Sequence, residues 1–322
     1  MTETSLQART RPDRLISVVV PAHNEAQTLP LLFERLERAL AGRGAFEVVV
    51  VDDGSRDGTL NLLRAAHTAK PSIRYLSFSR NFGHQNALRA GLTAARGDCV
   101  VTIDADLQHP PELIPELLAR WEAGADLVYT VRLEKNTGLL KRASAALYYR
   151  LLRWLSDDPP VPGGADFRLL DRRVVDVFVS LREHTMFLRG LVPWVGFTQA
   201  EVTYTAALRA AGVSSYTLVK MTRLALEGLT STSTRPLLLA SMFGVTLASG
   251  ALLYAVYALW VRLVVGIAVP GWTSTVLVVT LIGGTQLFFM GVLGLYLGHV
   301  LREVRGRPPY IVAERSDDSA PR

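Results

Sequence analysis

Ile16 to Val20 is a short, mostly β-branched run stopped by Pro21, the pattern of a buried strand. From Thr28 to Leu40 the spacing turns helical, with Leu29, Leu32, Phe33, Leu36 and Leu40 on one face. Glu47–Val51 predicts a second buried strand, closed by Asp52-Asp53-Gly54-Ser55, and a helix follows with Leu60, Leu63 and Ala66 on one side. Ile73–Phe78 predicts a third strand, and His84–Ala95 a helix ended by Gly97. Val100–Ile103 predicts a fourth strand that runs into Asp104-Ala105-Asp106. Pro110 and Pro111 then open a helix over Glu112–Trp121. Such strand–helix alternation builds βαβ units and a parallel sheet. Ligands of these sheets sit beyond the carboxyl ends of the strands, where the acidic clusters at 52–53 and 104–106 fall.

The pattern is less regular after that. Leu139–Leu155 predicts an apolar helix bearing Lys141, Arg142, Arg150 and Arg153, suited either to a membrane interface or to a domain surface with solvated arginines. Ser156–Ala165 reads as a Pro/Gly loop, and Asp166–Leu181 returns to strand and helix patterns. No charge occurs from Pro236 to Val261, nor from Leu263 to Leu301 beyond His299, although Pro270-Gly271 breaks the second run early. A span needs about 20 apolar residues, so 237–260 and 273–300 are each expected to cross a bilayer. The alternative, two buried globular helices, fits poorly with two such runs in succession at one end of the chain. Residues 209–235, with Leu218, Met221, Ala225 and Leu229 as an apolar stripe, predict an amphipathic juxtamembrane helix or a simple linker helix.

Composition agrees with an uneven chain. The 322 residues are 49% hydrophobic and only 20% charged, with a mean hydropathy of +0.22. One cysteine, Cys99, excludes an internal disulfide and a Cys-rich zinc site. The net charge of +6 fits a nucleic-acid binder, a binder of phosphorylated small molecules, or a protein on an anionic membrane. The first 14 residues are polar, without the apolar core of a signal peptide. The basic residues Arg302, Arg305, Arg307 and Arg315 follow the second run, so both termini and the N-terminal domain are expected on the cytoplasmic side of the cell membrane. The Gly294–Gly298 step, with Gly291 one turn earlier, offers a helix-packing face.

Asp104-Ala105-Asp106-Leu107-Gln108 is the most informative chemistry. Two carboxylates one residue apart at a strand end can address one hard cation, Mg²⁺ or Mn²⁺. Such an ion neutralises a diphosphate leaving group. A nucleic-acid site would not be built around Asp52, Asp53, Asp104 and Asp106.

Val20-Pro21-Ala22-His23-Asn24-Glu25, Val51-Asp52-Asp53-Gly54-Ser55 and Asp104-Ala105-Asp106-Leu107-Gln108-His109-Pro110-Pro111-Glu112 resemble family 2 glycosyltransferases. Ser79-Arg80-Asn81-Phe82-Gly83-His84-Gln85, Asp166-Phe167-Arg168-Leu169-Leu170-Asp171-Arg172 and Phe187-Leu188-Arg189-Gly190 narrow the resemblance to bacterial polyprenyl-phosphate glycosyltransferases with two C-terminal spans. The similarity runs from about Ile16 to Val312.

The resemblance implies an α/β GT-A fold over 15–208, a Rossmann-like and mostly parallel sheet. A juxtamembrane segment at 209–235, two spans within 236–301 and a cytoplasmic basic tail at 302–322 would follow, behind a polar tail at 1–14. It implies an inverting transfer of sugar from a nucleotide-sugar to the phosphate of a membrane polyprenol, undecaprenyl phosphate. UDP-glucose is the first choice of donor; GDP-mannose, UDP-N-acetylglucosamine and an aminoarabinose donor stay open. By the resemblance, Pro21, His23, Glu25, Asp53 and Asp104 line the nucleotide-sugar pocket and Asp52 supports it. Asp104, Asp106 and Gln108 hold the metal and diphosphate, and Asp166 lies near the reacting centre. Arg168, Arg189, Arg209 and Ser214 are candidates for the acceptor phosphate, and a homo-oligomer is expected.

One departure concerns Ala211-Gly212-Val213-Ser214-Ser215-Tyr216, where relatives often carry lysine at the position of Ser215. That weakens phosphate binding there unless Arg209 or Lys220 substitutes. A processive polysaccharide synthase is the alternative enzyme, but its Gln-x-x-Arg-Trp motif meets only Arg150-Leu151-Leu152-Arg153-Trp154. A non-catalytic membrane scaffold is a third possibility, opposed by the intact acidic motifs.

Overall fold

The computed structural model describes residues 14–133, 164–181, 183, 188–205, 235–265 and 271–317. The helix expected over 139–155, most of the 156–165 loop and the juxtamembrane segment 209–234 lie outside these residues. The chain forms two compact units. The first contains a sheet, its covering helices and the chain from Arg307 onward; the second contains two long helices.

The first unit begins with β1 (Leu15–Ala22), α1 (Leu29–Leu40), β2 (Ala45–Asp52), α2 (Thr59–Ala69), β3 (Ile73–Phe78), α3 (His84–Ala94) and β4 (Cys99–Thr102). A short 3₁₀ turn at Pro111–Leu113 leads into α4 (Ile114–Glu122), so the two prolines open the helix slightly later than the spacing predicts. Then come β5 (Leu127–Leu133), β6 (Gly164–Asp171), α5 (Arg172–Ser180), α6 (Leu188–Trp194) and β7 (Gln199–Thr205). The last strand, β8 (Val312–Arg315), comes after the long helices α7 (Arg235–Trp260) and α8 (Trp272–Val304). The sheet order is β7-β5-β6-β4-β1-β2-β3-β8. Strands β4, β1, β2 and β3 run parallel. β6 runs antiparallel to both β4 and β5, and β8 antiparallel to β3.

The first strands read as unbroken apolar runs because both faces of the sheet are covered. Ile16, Val18 and Val20 pack with α1 and α4 through Leu32, Leu36, Leu117 and Trp121. Val19 and Val49 face the other way, onto Leu88 and Leu92 of α3 and Val175 and Phe178 of α5. Gly91 lets α3 approach this closely: a Cβ there would meet Val19 Cγ1 at 2.2 Å and Val51 Cγ2 at 3.3 Å. Gly91→Ala is therefore expected to destabilise the domain by about 1–3 kcal/mol through overpacking. Urea unfolding of the purified protein checks this, and an unchanged midpoint would contradict the close packing.

Residues expected only as a basic tail include an edge strand. In β8, Ser77 pairs with Glu314 and Leu76 with Arg315. Glu314 accepts from Arg64 Nε at 2.8 Å and Nη2 at 2.5 Å, and from the Tyr75 hydroxyl at 2.7 Å. Arg64, then Tyr75, hold the Glu314 carboxyl down to about 2. A lowered folded-state value stabilises above the ordinary carboxylate range, and that stabilisation is lost as pH falls from about 4.5 toward 2.

In the second unit, α7 has 26 residues and α8 has 33. Both are long and apolar enough to cross a membrane, with segments Ala240–Tyr257 and Leu281–Val304 of mean hydropathy 1.4 and 1.5. Their large apolar side chains are exposed, Leu253 at 71% and Leu287 at 70%. A soluble core helix would bury such residues, whereas lipid covers them at no cost. Phe243 and Phe289 meet between the two helices, with ring centroids 5.8 Å apart. Among the described residues, nothing lies within 4 Å of a Cβ built at Gly291, Gly294 or Gly298.

Candidate active site

Strand order brings the acidic motifs together. β1 lies between β4 and β2 and connects in sequence to only one of them, so the sheet reverses direction of travel there. The crevice at such a switch point is the ordinary ligand site of an α/β sheet. Residues just beyond β1, β2, β3 and β4 form a cleft of about 340 Å³, lined among others by His23, Glu25, Asp53, His84, Asp104 and Asp106. Pro21, Asn81 and Gly83 also face it.

The loop after β1 is tied to the loop after β2. Asn24 adopts a left-handed φ of 59°. Its backbone N–H donates to Ser55 Oγ at 2.8 Å, and its side-chain oxygen accepts from Arg56 N–H at 2.8 Å. His23 Nδ1 lies 2.9 Å from the Asp53 carbonyl oxygen. A carbonyl only accepts, so Nδ1 carries the proton and Nε2 is left to accept from the Asn24 amide, 3.3 Å away. Asp52 is 1% exposed and accepts from Ser55 N–H and the Ser77 hydroxyl, which makes it a support beneath the cleft. Asp53 accepts from the N–H groups of Phe82 at 2.6 Å and Gly83 at 3.0 Å, and so holds the 79–84 loop. Gly54, at φ +65°, makes room for that loop: a Cβ would lie 2.4 Å from the Arg80 carbonyl carbon.

The second wall comes from β4 and β6. Thr102 is opposite Arg168, so the antiparallel register carries Asp166 alongside Asp104. Asp166 is 4% exposed and accepts from Arg168 Nη2 at 3.0 Å. Arg168 is 2% exposed and also donates to the carbonyl oxygens of Ala165 and Leu188. This buried guanidinium supports a carboxylate, where the resemblance offered Arg168 as a candidate for the acceptor phosphate. The reason is strand alternation, which puts residues 166 and 168 on the same covered face. His84 opens α3 with Nε2 3.5 Å from both Asp104 Oδ1 and Asp166 Oδ2.

Asp106 is oriented by a local turn. Leu107 has a φ of 61°, unusual for a residue with a Cβ. That turn lets Gln108 donate its backbone N–H and Nε2 to the Asp106 carboxylate at 3.0 and 2.6 Å. Gln108 therefore holds Asp106, and its Oε1 accepts from Arg132 at 3.3 Å. Asp104 Oδ1 is buried and accepts no hydrogen bond. Burial pushes the Asp104 carboxyl up, His109 and His84 hold it back, and Asp166 and Asp106 push it further up. Burial also raises Glu25, against a hydrogen bond from Thr28 and with Asp106, Asp57 and Asp104 adding repulsion. The cleft thus gathers carboxylates around a buried oxygen that accepts no hydrogen bond and has His84 Nε2 3.5 Å away.

Carboxylate oxygens are the kind of donor that a hard divalent cation takes. Among the described residues no group of three or more His, Cys, Asp or Glu is arranged as a complete metal cage. Mg²⁺ sites that use one or two carboxylates and complete their shell with substrate phosphates and water do not require one. Of the remaining sequence candidates, Arg189 lies on α6, and Arg209 and Ser214 lie outside the described residues. His84 and Asn81 were given no role by sequence reasoning. The signal available was the Gly83-His84 step opening a helix after β3.

The profile described as Glycosyl transferase family 2 matches residues 17–178. The Uncharacterized glycosyltransferase YkcC of Bacillus subtilis (strain 168) is 40% identical over 299 residues, 92% of each chain. The Bactoprenol glucosyl transferase of Shigella phage SfII is 40% identical over 299 residues, 92% of this chain and 97% of that protein. Among solved structures, glucosyl-3-phosphoglycerate synthase from Mycobacterium tuberculosis, in complex with Mg²⁺ and uridine-diphosphate, superposes with a TM-score of 0.50. It is 24% identical and covers 72% of this chain and 83% of that one, a likeness of fold.

Proposed function

The chain belongs to glycosyl transferase family 2, and on that premise we propose that it transfers glucose from UDP-glucose to the phosphate of a membrane polyprenol, undecaprenyl phosphate. Its sheet unit has the GT-A fold. The observation that carries the proposal is the acidic cleft at the switch point, with Asp104 Oδ1 buried and accepting no hydrogen bond. The similarity to a bactoprenol glucosyl transferase over 92% of the chain supports both the sugar and the acceptor.

In this reading Pro21, His23, Glu25 and Asp53 flank the nucleotide, and Asp52 supports them from below. Asp104 and Asp106 hold Mg²⁺ or Mn²⁺, with Gln108 orienting Asp106. Bound there, the cation would offset the repulsion between the acidic cleft and a diphosphate and would stabilise the departing nucleoside diphosphate. A phosphate oxygen of the acceptor attacks the anomeric carbon from the opposite face as the bond to the diphosphate oxygen breaks. Product and leaving group then share the negative charge, and the sugar inverts. A phosphate monoester has a second pKa of about 6 and is mostly dianionic at neutral pH, so it needs positioning more than a general base. Asp166, fixed by Arg168, is accordingly assigned to orienting His84 and steadying positive charge on the sugar. Arg189, Arg209 and Ser214 are proposed to hold the acceptor phosphate.

The helices α7 and α8 are proposed as a membrane hairpin. β7 and β8 share one sheet, so a chain that crosses a bilayer between them must cross an even number of times. That parity supports placing the catalytic unit and both termini on one side, and the basic residues after α8 favour the cytoplasmic face. The uncovered glycines of α8 support self-association.

The test supplies purified protein with undecaprenyl phosphate, Mg²⁺ or Mn²⁺, and labelled UDP-glucose, GDP-mannose, UDP-N-acetylglucosamine or an aminoarabinose donor. Lipid-extractable label from UDP-glucose is expected. Label from another donor alone would correct the sugar, polymer without a lipid-linked product would favour a processive synthase, and no transfer from any donor would refute the proposal.

A further inference from the structure

The strand that follows α8 reaches the wall of the cleft. Ile311 accepts the Ser79 N–H at 3.0 Å, and Val312 pairs with Phe78. The Tyr310 ring stacks on Phe78, with centroids 5.0 Å apart and planes 13° from parallel. Phe78 meets Phe82 edge to face at 5.7 Å. Phe82 is the residue whose N–H reaches Asp53 at 2.6 Å, and the next N–H, of Gly83, reaches the same carboxylate. Phe82 and Tyr310 pack together on a small core of Val51, Phe78, Ala87 and Ala90. One wall of the cleft, Asn81, Gly83 and His84, stands on this aromatic stack.

We infer that Tyr310 is a positioning residue for the nucleotide half of the site, acting through Phe78 and Phe82 to fix the 79–84 loop against Asp53. Nothing in the chemistry requires the Tyr310 hydroxyl; the ring and its stacking do the work. A segment otherwise remote in sequence thereby sets the rigidity of the donor pocket. Removing the ring loosens the loop, so a bound nucleotide must order it again and binds more weakly. An aromatic pair contributes enough for a change of about three- to tenfold in affinity.

The inference rests on the cleft being the nucleotide-sugar site, and the experiment separates the two. Full-length protein in detergent is followed by hydrogen exchange over residues 79–84 and by steady-state kinetics with UDP-glucose, Mn²⁺ and undecaprenyl phosphate. Tyr310→Ala is expected to speed exchange at Phe82 and Gly83 about tenfold and to raise the KM for UDP-glucose about three- to tenfold. Its kcat and its KM for undecaprenyl phosphate should stay within about twofold. Tyr310→Phe should restore both readouts. Tyr310→Leu, which keeps apolar cover should the alanine variant unfold, should shift them in the same direction. Glu314→Gln, which loosens the other end of β8, should leave the UDP-glucose KM unchanged. Unaltered exchange in folded Tyr310→Ala or Tyr310→Leu would overturn the inference, as would an equal KM rise in Glu314→Gln. A wild-type protein that takes no nucleotide-sugar would refute the functional reading, while exchange at residues 79–84 would still decide the role of Tyr310.

Discussion

Asp106→Ala is expected to lower sugar transfer by about a thousandfold or more, since it removes the fixed charge that the proposal assigns to the diphosphate and its cation. Asp106 is partly exposed, so its loss leaves the core intact. The local backbone pays for its placement: Leu107 sits at φ 61° so that Gln108 can grip both carboxylate oxygens. Holding a side chain in that region costs about 1–2 kcal/mol, a strain typical of functional turns. Alanine loses the carboxylate and, with it, both bonds from Gln108. The measurement is label transferred to lipid, with thermal unfolding and membrane insertion as controls that should match wild type. Full activity of Asp106→Ala with divalent metal chelated would remove the assignment.

Arg168→Leu is the second large effect, and it is one of stability. The guanidinium and the Asp166 carboxylate are 2% and 4% exposed and 3.0 Å apart. Taking away one member of a buried pair costs about 3–5 kcal/mol, because the other charge loses its compensation. A domain has only about 5–15 kcal/mol to lose. Arg168 also joins β6 to α6 through the Leu188 carbonyl, so part of the loss is structural. Adding Asp166→Asn to Arg168→Leu removes the stranded charge and should recover a share of the stability, which a double-mutant cycle by urea unfolding measures. A loss below about 1 kcal/mol in Arg168→Leu would mean an exposed pair.

The portion of the fold legible in the sequence is the portion governed by local pattern. Ile73–Phe78 matches its strand residue for residue, β1 and β2 differ by one or two residues at each end, and α1 differs by one at its start. Their runs are apolar throughout because helices cover both faces. β5 and β7 carry no such mark: β7 is the edge strand, and it pairs with β5 across the long stretch of chain from Leu127 to Gln199. β8 was hidden for another reason. Val312-Ala313-Glu314-Arg315 is short and half charged, and it becomes a strand because the edge of β3 is open to it and Arg64 and Tyr75 receive Glu314. Periodicity cannot show a partner 250 residues away.

The site divides along the same line. Asp52, Asp53, Asp104 and Asp106 were visible because they end apolar runs, and strand ends carry ligands in this architecture. His84 gained its place only when β3 was set beside β2 and β6 beside β4, which brings Asp104 and Asp166 to either side of it. Arg168 was read as a cation for a phosphate. The two-residue spacing to Asp166 already placed both side chains on one face of a strand, and burial of that face turned the arginine inward.

The most direct test of the central claim is Mn²⁺ binding followed by electron paramagnetic resonance on the full-length protein. Adding UDP is predicted to deplete the free Mn²⁺ signal with wild type, because Asp104, Asp106 and the diphosphate would hold the ion together. Asp106→Ala should leave that signal near the level of Mn²⁺ and UDP alone. Equal depletion by wild type and Asp106→Ala would contradict the account.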